Sequence, residues 1–145
     1  MALRTSRCVA APHGNVTLFE HLVPVRWRDA DALGHVNHAV FLTYLEEARD
    51  AFFVQTLDSD PMYVVARIEI EFRAEIRLSD RQVTVRIEAE SLGRTSVTTC
   101  ETVLSPSGVA AAQARVVTVR WDPDRRKSVP LTETERAKLA ARMSG

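Results

Sequence analysis

The residues from about 64 to 121 constrain the fold most, because they alternate between apolar and polar side chains over runs long enough to be strands. The alternation is clearest in VVARIEIEFR (64–73) and VTVRIEAE (83–90). Side chains two residues apart point to the same face of a strand, so each run has one buried and one wet face. Short connections such as SPSG (105–108) are too short for a parallel crossover. The region therefore predicts four long antiparallel strands.

The twenty residues before this region have a different period. From about residue 37 to 56, apolar side chains recur at helical spacing, and a polar face lies opposite them. Asn37 is suited to be the N-cap, since its side-chain oxygen can accept from amides one turn further on. The pattern predicts one long amphipathic helix whose buried stripe contains Phe41, Leu45, Ala48 and Phe52.

The rest of the chain completes a single-domain plan. We expect a flexible N-terminal tail over 1–16, one domain over 17–130 and a C-terminal helical segment over 131–145. A short strand is predicted over 18–28, with Val23, Val25 and Trp27 on one side. The fold class is α+β, with a curved antiparallel sheet of five to six strands wrapped around the long helix.

Charge and cysteine content exclude several classes of protein. Nineteen basic residues balance nineteen acidic ones, so no net field attracts nucleic acid or an anionic membrane. No apolar run approaches the length of a membrane span. Cys8 and Cys100 lie far apart in sequence and suggest neither a disulfide framework nor a paired-cysteine zinc site. We expect a soluble protein in a reducing, cytoplasmic setting.

A polar cluster precedes the long helix and needs a structural or a chemical explanation. Within RWRDADALGHVNH (26–38), two aspartates, a glycine, two histidines and an asparagine occupy ten consecutive residues. Asp29 is interpreted as pairing with Arg26 or Arg28, or as closing the turn. His35 is interpreted as a packed histidine that braces the turn. The two histidines have no further histidine nearby to complete a metal site, so none is expected.

This cluster and several later features resemble one family. Five segments match the pattern of that family in their residues, order and spacing. They are the turn from Arg26 to Asp31, the LGHVNH segment (33–38), the YLEEAR segment (44–49), GRTS (93–96), and WD (121–122) with the basic residues that follow it. Over about 18–130 the chain resembles the hotdog-fold acyl-CoA thioesterases of the 4-hydroxybenzoyl-CoA thioesterase type.

The resemblance implies an assembly and a catalytic group. Two chains are expected to pair edge to edge into one continuous sheet with the active sites at the homodimer interface, and two dimers to form a homotetramer. Asp31 is implied to be the catalytic carboxylate. His38, seven residues further on, lies where relatives contribute a histidine or a backbone amide.

Thioester hydrolysis needs a group that attacks the carbonyl carbon and a group that holds the oxyanion. The helix N-terminus offers free amides and a dipole that favours negative charge, so we assign the oxyanion site to Asn37, His38 and Ala39. Asp31 could attack directly or deprotonate water. Neither route needs a metal or a cofactor, and coenzyme A is part of the substrate.

Further residues are candidates for substrate binding. Thr95 and Ser96 resemble positions that line the acyl pocket across the interface, or are plain strand residues. The basic residues Arg94, Arg125, Arg126 and Lys127 either contact the phosphates of CoA or form a solvated run.

Three alternatives stay open from sequence. A hotdog hydratase or dehydratase would act on the same acyl thioesters, and a non-catalytic module would only bind them. An acyl carrier protein could replace CoA, because both present the same phosphopantetheine arm. The acyl group itself is not specified.

Overall fold

The computed structural model describes Cys8 and residues 18–60 and 62–143 of the 145-residue chain. These residues contain six strands and two α-helices. In chain order they are β1 (Phe19–Pro24), α1 (His38–Leu57), β2 (Tyr63–Phe72), β3 (Gln82–Leu92), β4 (Ser96–Leu104), β5 (Ala110–Asp122), β6 (Lys127–Ser128) and α2 (Glu133–Ala140).

The strands form one antiparallel sheet in the order β1-β3-β4-β5-β2, and the short β6 pairs with the end of β5. The predicted α+β class, with five to six antiparallel strands around a long helix, is confirmed. Tight turns join β3, β4 and β5, and the turn before β5 places Gly108 at a φ of 84°, which a glycine adopts without strain.

The long helix α1 begins and ends at capped residues. Asn37 is the N-cap, as predicted, and its side-chain oxygen accepts the Ala39 N–H at 2.9 Å. At the other end Asp58 adopts a left-handed conformation, and its N–H donates to the Val54 carbonyl at 2.9 Å. The predicted apolar stripe is buried in the core, namely Phe41, Leu45, Ala48 and Phe52.

A charged pair that the sequence analysis did not predict is buried between α1 and β4. The Arg49 guanidinium donates two hydrogen bonds to the Glu101 carboxylate, at 2.8 and 2.9 Å. The Thr99 hydroxyl donates a third bond to the same carboxylate at 2.8 Å. Glu101 has 0% of its surface exposed and Arg49 has 5%, so each charge depends on the other for compensation.

The first strand is shorter than predicted. β1 ends at Pro24, whereas the alternation suggested continuation to Arg28. Proline has no N–H to continue a ladder, and the chain then enters a short 3-10 turn over Trp27–Asp29. The turn rotates Trp27 away from the core, and the side chain is 87% exposed. The prediction that Trp27 shares a face with Val23 and Val25 in a strand was therefore wrong.

The interpretation that the cysteines suggest no disulfide framework was also wrong, because the structure joins Cys8 to Cys100 in a disulfide with the Cα atoms 5.8 Å apart. Cys100 alternates along β4 with Thr99 and Glu101, and Glu101 faces α1. The Cys100 side chain therefore leaves the opposite face of the sheet. Apart from Cys8, the predicted flexible tail over 1–16 lies outside the described residues.

The C-terminal segment packs on the same core. Leu139 of α2 is fully buried. The Lys138 ammonium donates to the Leu57 carbonyl at 3.3 Å and pairs with Asp58 at 3.1 Å, so α2 contacts the end of α1. Across the residues that the structure covers, neither helix combines the length and apolar character needed to cross a membrane.

Candidate active site

A buried carboxylate anchors the loop that precedes α1. The Asp29 carboxylate accepts the Arg26 backbone N–H at 2.8 Å and the Tyr44 hydroxyl at 2.6 Å. Asp29 therefore closes the 3-10 turn through the backbone of Arg26, and the Arg26 guanidinium pairs with Glu47 at 2.7 Å instead. Burial, together with the bond to Asp29, raises the pKa of Tyr44 well above its ordinary value, so the hydroxyl remains a donor.

A tight turn follows and presents Asp31. The Gly34 N–H donates to the Asp31 carbonyl at 3.1 Å, and the Asp31 N–H donates to the His35 carbonyl at 3.1 Å. Gly34 has a φ of 82°, a conformation in which any other residue would be strained. The turn therefore needs glycine at this position.

The Asp31 carboxylate is held by one donor on each oxygen. The Leu33 N–H donates to Oδ1 at 2.9 Å, and the Asn37 side-chain amide donates to Oδ2 at 3.2 Å. The Leu33 bond lowers the pKa of Asp31 most, with further lowering by Asn37 and by the nearby His35. Asp31 is therefore ionised at neutral pH.

The start of α1 offers one free amide. The Asn37 N–H donates to the Asp29 carbonyl at 2.9 Å, and the Ala39 N–H is used by the N-cap bond. Within the described part of the chain, the His38 N–H has no hydrogen-bond partner. Of the three residues assigned to the oxyanion site, His38 is thus the one whose amide can still bind an anion.

Asp31 and His38 line one cavity of about 390 Å³. Its apolar wall includes Phe72, whose ring lies edge-on to the Phe41 ring at 5.5 Å and to the His38 ring at 6.1 Å between centroids. Arg73 and Glu75 follow Phe72 and also line the cavity. Sequence reasoning missed this wall, although Phe72 ends a predicted strand.

Other predicted residues lie elsewhere in the single chain. Arg94, Thr95 and Ser96 form the turn into β4 and do not line the cavity beside Asp31. Arg125, Arg126 and Lys127 occupy the hairpin between β5 and β6, where Arg125 lines a separate cavity of about 500 Å³. One chain therefore brings together Asp31, Asn37, His38 and Ala39, but not the six substrate-binding candidates.

The chain matches the model of the Thioesterase-like superfamily over residues 25–139. It belongs to this superfamily. The acyl-CoA thioester hydrolase YbgC of Escherichia coli is 30% identical over 75% of this chain and 86% of its own length. The long-chain acyl-CoA thioesterase FadM of Escherichia coli is 31% identical over 81% of this chain and 93% of its own length.

Solved structures of related thioesterases have the same fold as this chain. A Thermus thermophilus thioesterase, solved with coenzyme A and Zn, is 38% identical and superposes with a TM-score of 0.75 over 84% of this chain and 92% of its own. A predicted thioesterase from Bacillus stearothermophilus is 25% identical, with a TM-score of 0.79 over 88% and 97% of the two chains. In the described residues of this chain, no three His, Cys, Asp or Glu side chains cluster as metal ligands would.

Proposed function

We propose that the protein hydrolyses acyl-CoA thioesters to a free acid and coenzyme A. The observation that carries this proposal is that two groups line the same cavity: the ionised carboxylate of Asp31, and His38, whose backbone N–H has no hydrogen-bond partner among the described residues. The names of the relatives YbgC and FadM support the same activity.

The His38 N–H and the N-terminal dipole of α1 would bind the thioester oxygen as negative charge develops on it. Asp31 then acts by one of two routes. In the first, the Asp31 carboxylate attacks the carbonyl carbon and the C–S bond breaks, which leaves an anhydride between Asp31 and the acyl group. CoA leaves as a thiolate that takes a proton from water. A second water then hydrolyses the anhydride. In the second it removes a proton from the water that attacks. Single turnover in ¹⁸O-labelled water tests the first route, because label enters Asp31 only when water attacks the Asp31 carbonyl of the anhydride, and the second route never labels this residue. Label in Asp31 would therefore establish the first route. Neither route draws on a metal or a cofactor.

The acyl group is proposed to pack on the aromatic wall formed by Phe41 and Phe72. Replacing Phe72 by alanine should open space beside the thioester carbonyl, since Phe72 contacts His38 and is only half covered. The ratio of kcat/KM for branched or aromatic acyl-CoA to that for acetyl-CoA is expected to rise about tenfold. Val109→Ala, which removes an exposed apolar side chain outside this cavity, is the control. An unchanged ratio in Phe72→Ala would contradict this placement.

The active protein is proposed to be a homodimer that pairs through β2, and two dimers to form a homotetramer. β2 is a ten-residue strand at the edge of the sheet, and such long edges are normally covered. Its exposed residues include Val64, Val65 and Phe72, and Leu42 of α1 is exposed too. The predicted apolar face of β2 is thus only partly covered within one chain.

Light scattering tests the assembly. We expect a mass two or four times the 16.2 kDa of one chain. A mass of one chain at micromolar concentration would contradict pairing through β2.

In such a dimer, residues distant from Asp31 in one chain can approach the partner's site. We propose that Arg94, Arg125, Arg126 and Lys127 contact the phosphates of CoA, and that Thr95 and Ser96 line the acyl pocket across the interface. The exposed hairpin positions of Arg125, Arg126 and Lys127 support the first assignment. The cytoplasmic location expected from the sequence loses its support from cysteine content, because Cys8 and Cys100 form a disulfide.

A 2-enoyl-CoA substrate tests hydrolysis against hydration. Hydrolysis releases a free thiol and an enoic acid, whereas a hydratase consumes the conjugated double bond and leaves the thioester intact. We expect thiol release that matches the loss of substrate. Loss of the double bond without thiol release would assign the site to a hydratase, and binding without either change would assign it to a non-catalytic module.

A further inference from the structure

The Asn37 side chain joins two groups of the candidate site. Its Oδ1 accepts the Ala39 N–H at 2.9 Å, and its Nδ2 donates to Oδ2 of Asp31 at 3.2 Å. Only the oxygen of a side-chain amide can accept a backbone N–H, so the first bond fixes the orientation of the amide and turns Nδ2 toward Asp31. A residue that only caps a helix has no need of this second donor.

The backbone of Asn37 is also held in place. Its N–H donates to the Asp29 carbonyl at 2.9 Å. Asp29 is buried and fixed by the Tyr44 hydroxyl and the Arg26 N–H. The position of Nδ2 is therefore set by α1 and by the buried turn, independently of Asp31.

We infer that Asn37 is a positioning residue that orients the Asp31 carboxylate toward the carbonyl group held at His38, an inference that rests on the proposed hydrolysis. Leu33 fixes one carboxylate oxygen and Asn37 fixes the other, so the two bonds together set the plane of the carboxylate. Each oxygen keeps a lone pair free for water or for the carbonyl carbon. Without Nδ2, the carboxylate would be held at Oδ1 alone and could rotate.

Among the described residues, four other charged or titratable side chains line the cavity with Asp31. His35 lies in the same turn, His38 begins α1, and Arg73 and Glu75 come from the segment after β2. Glu75 itself pairs with Arg77. All of these groups stay unchanged when Asn37 is replaced, so a shift in the titration of Asp31 reports on Asn37.

Three substitutions of Asn37 separate orientation from capping. Serine caps helices as well as asparagine does but is too short to reach Asp31, and aspartate caps while it repels Asp31. For Asn37→Ser we expect a native Tm and an unchanged KM, but a kcat about tenfold lower. The acid limb of its pH profile of kcat should lie at higher pH than in the native protein. For Asn37→Asp the limb should move further in the same direction. Asn37→Ala should lose the cap as well, and so lower the Tm.

NMR titration of the ¹³C-labelled Asp31 carboxyl gives a readout that does not need turnover. We expect a higher pKa for Asp31 in Asn37→Ser than in the native protein, because a hydrogen bond to the ionised form is lost. Native kcat and native Asp31 titration in both Asn37→Ser and Asn37→Asp would overturn the inference and leave Asn37 as a cap only. If the native protein hydrolyses no acyl-CoA, the proposed function fails, while the titration still tests the Asn37–Asp31 contact.

Discussion

Replacement of Asp31 by asparagine is expected to lower kcat by about 10³-fold, because a neutral amide can neither attack a carbonyl carbon nor take a proton from water. The amide oxygen can still accept the Leu33 N–H, so the turn should persist and the Tm should change little. Initial rates of thiol release at neutral pH measure the effect. Asp60→Asn, which neutralises an exposed carboxylate after α1, is the matched control.

The pH dependence of the native enzyme follows from the same group. The pKa of Asp31 lies below its ordinary value of 3.8. In both proposed routes the ionised carboxylate is the form that reacts. Activity that depends on Asp31 is therefore present above this pKa and is lost only as the pH falls through it.

Retention of more than about a tenth of the native turnover in Asp31→Asn would contradict a direct role of Asp31 in the chemistry.

The second large effect concerns stability. Arg49→Met should lower the free energy of unfolding by roughly 3–5 kcal/mol, because it leaves the Glu101 charge buried without its partner. Denaturant unfolding at a fixed protein concentration measures this change. The double variant Arg49→Met with Glu101→Leu removes both charges and should recover much of the loss.

A solvent-accessible ion pair supplies the control for this stability prediction. Arg86 pairs with Glu20 on adjacent strands at 2.8 Å, and the two side chains are 38% and 46% exposed. Arg86→Met should therefore change the free energy of unfolding by no more than about 1 kcal/mol. Equal losses in Arg49→Met and Arg86→Met would show that the buried pair has no special role.

The fold was predictable because its signals are local and periodic. The alternation along β2 to β5 and the helical stripe of α1 each extend over many residues, so tertiary contacts did not have to be known. The prediction from alternation was wrong at the end of β1. The strand ends at Pro24, and the chain then enters the turn that the Asp29 carboxylate closes.

The candidate site was predictable only where it is contiguous in sequence. Asp31, Asn37, His38 and Ala39 lie within nine residues, so one turn and one helix start bring them together. Phe72 reaches the cavity from a strand more than thirty residues later, and no local pattern indicates that approach. Likewise, the availability of the His38 amide depends on which neighbours Asn37 binds, a detail of side-chain geometry.

The long-range pairings were beyond sequence reasoning for the same reason. Arg49 looks like an ordinary charged residue of an amphipathic helix until the sheet places Glu101 beneath it. Cys8 and Cys100 are 92 residues apart, and their spacing carries no sign of a pair.

Hydrolysis at Asp31 is tested most directly by thiol release from a panel of acyl-CoAs that includes aromatic, branched, short, medium and long acyl groups. Native protein and Asp31→Asn are assayed side by side against the spontaneous rate. We predict that the native protein releases CoA from at least one member and that Asp31→Asn does not exceed background. Hydrolysis at Asp31 would be contradicted if a well-folded native protein released no thiol from any member. It would also be contradicted if Asp31→Asn released thiol as fast as an active native protein.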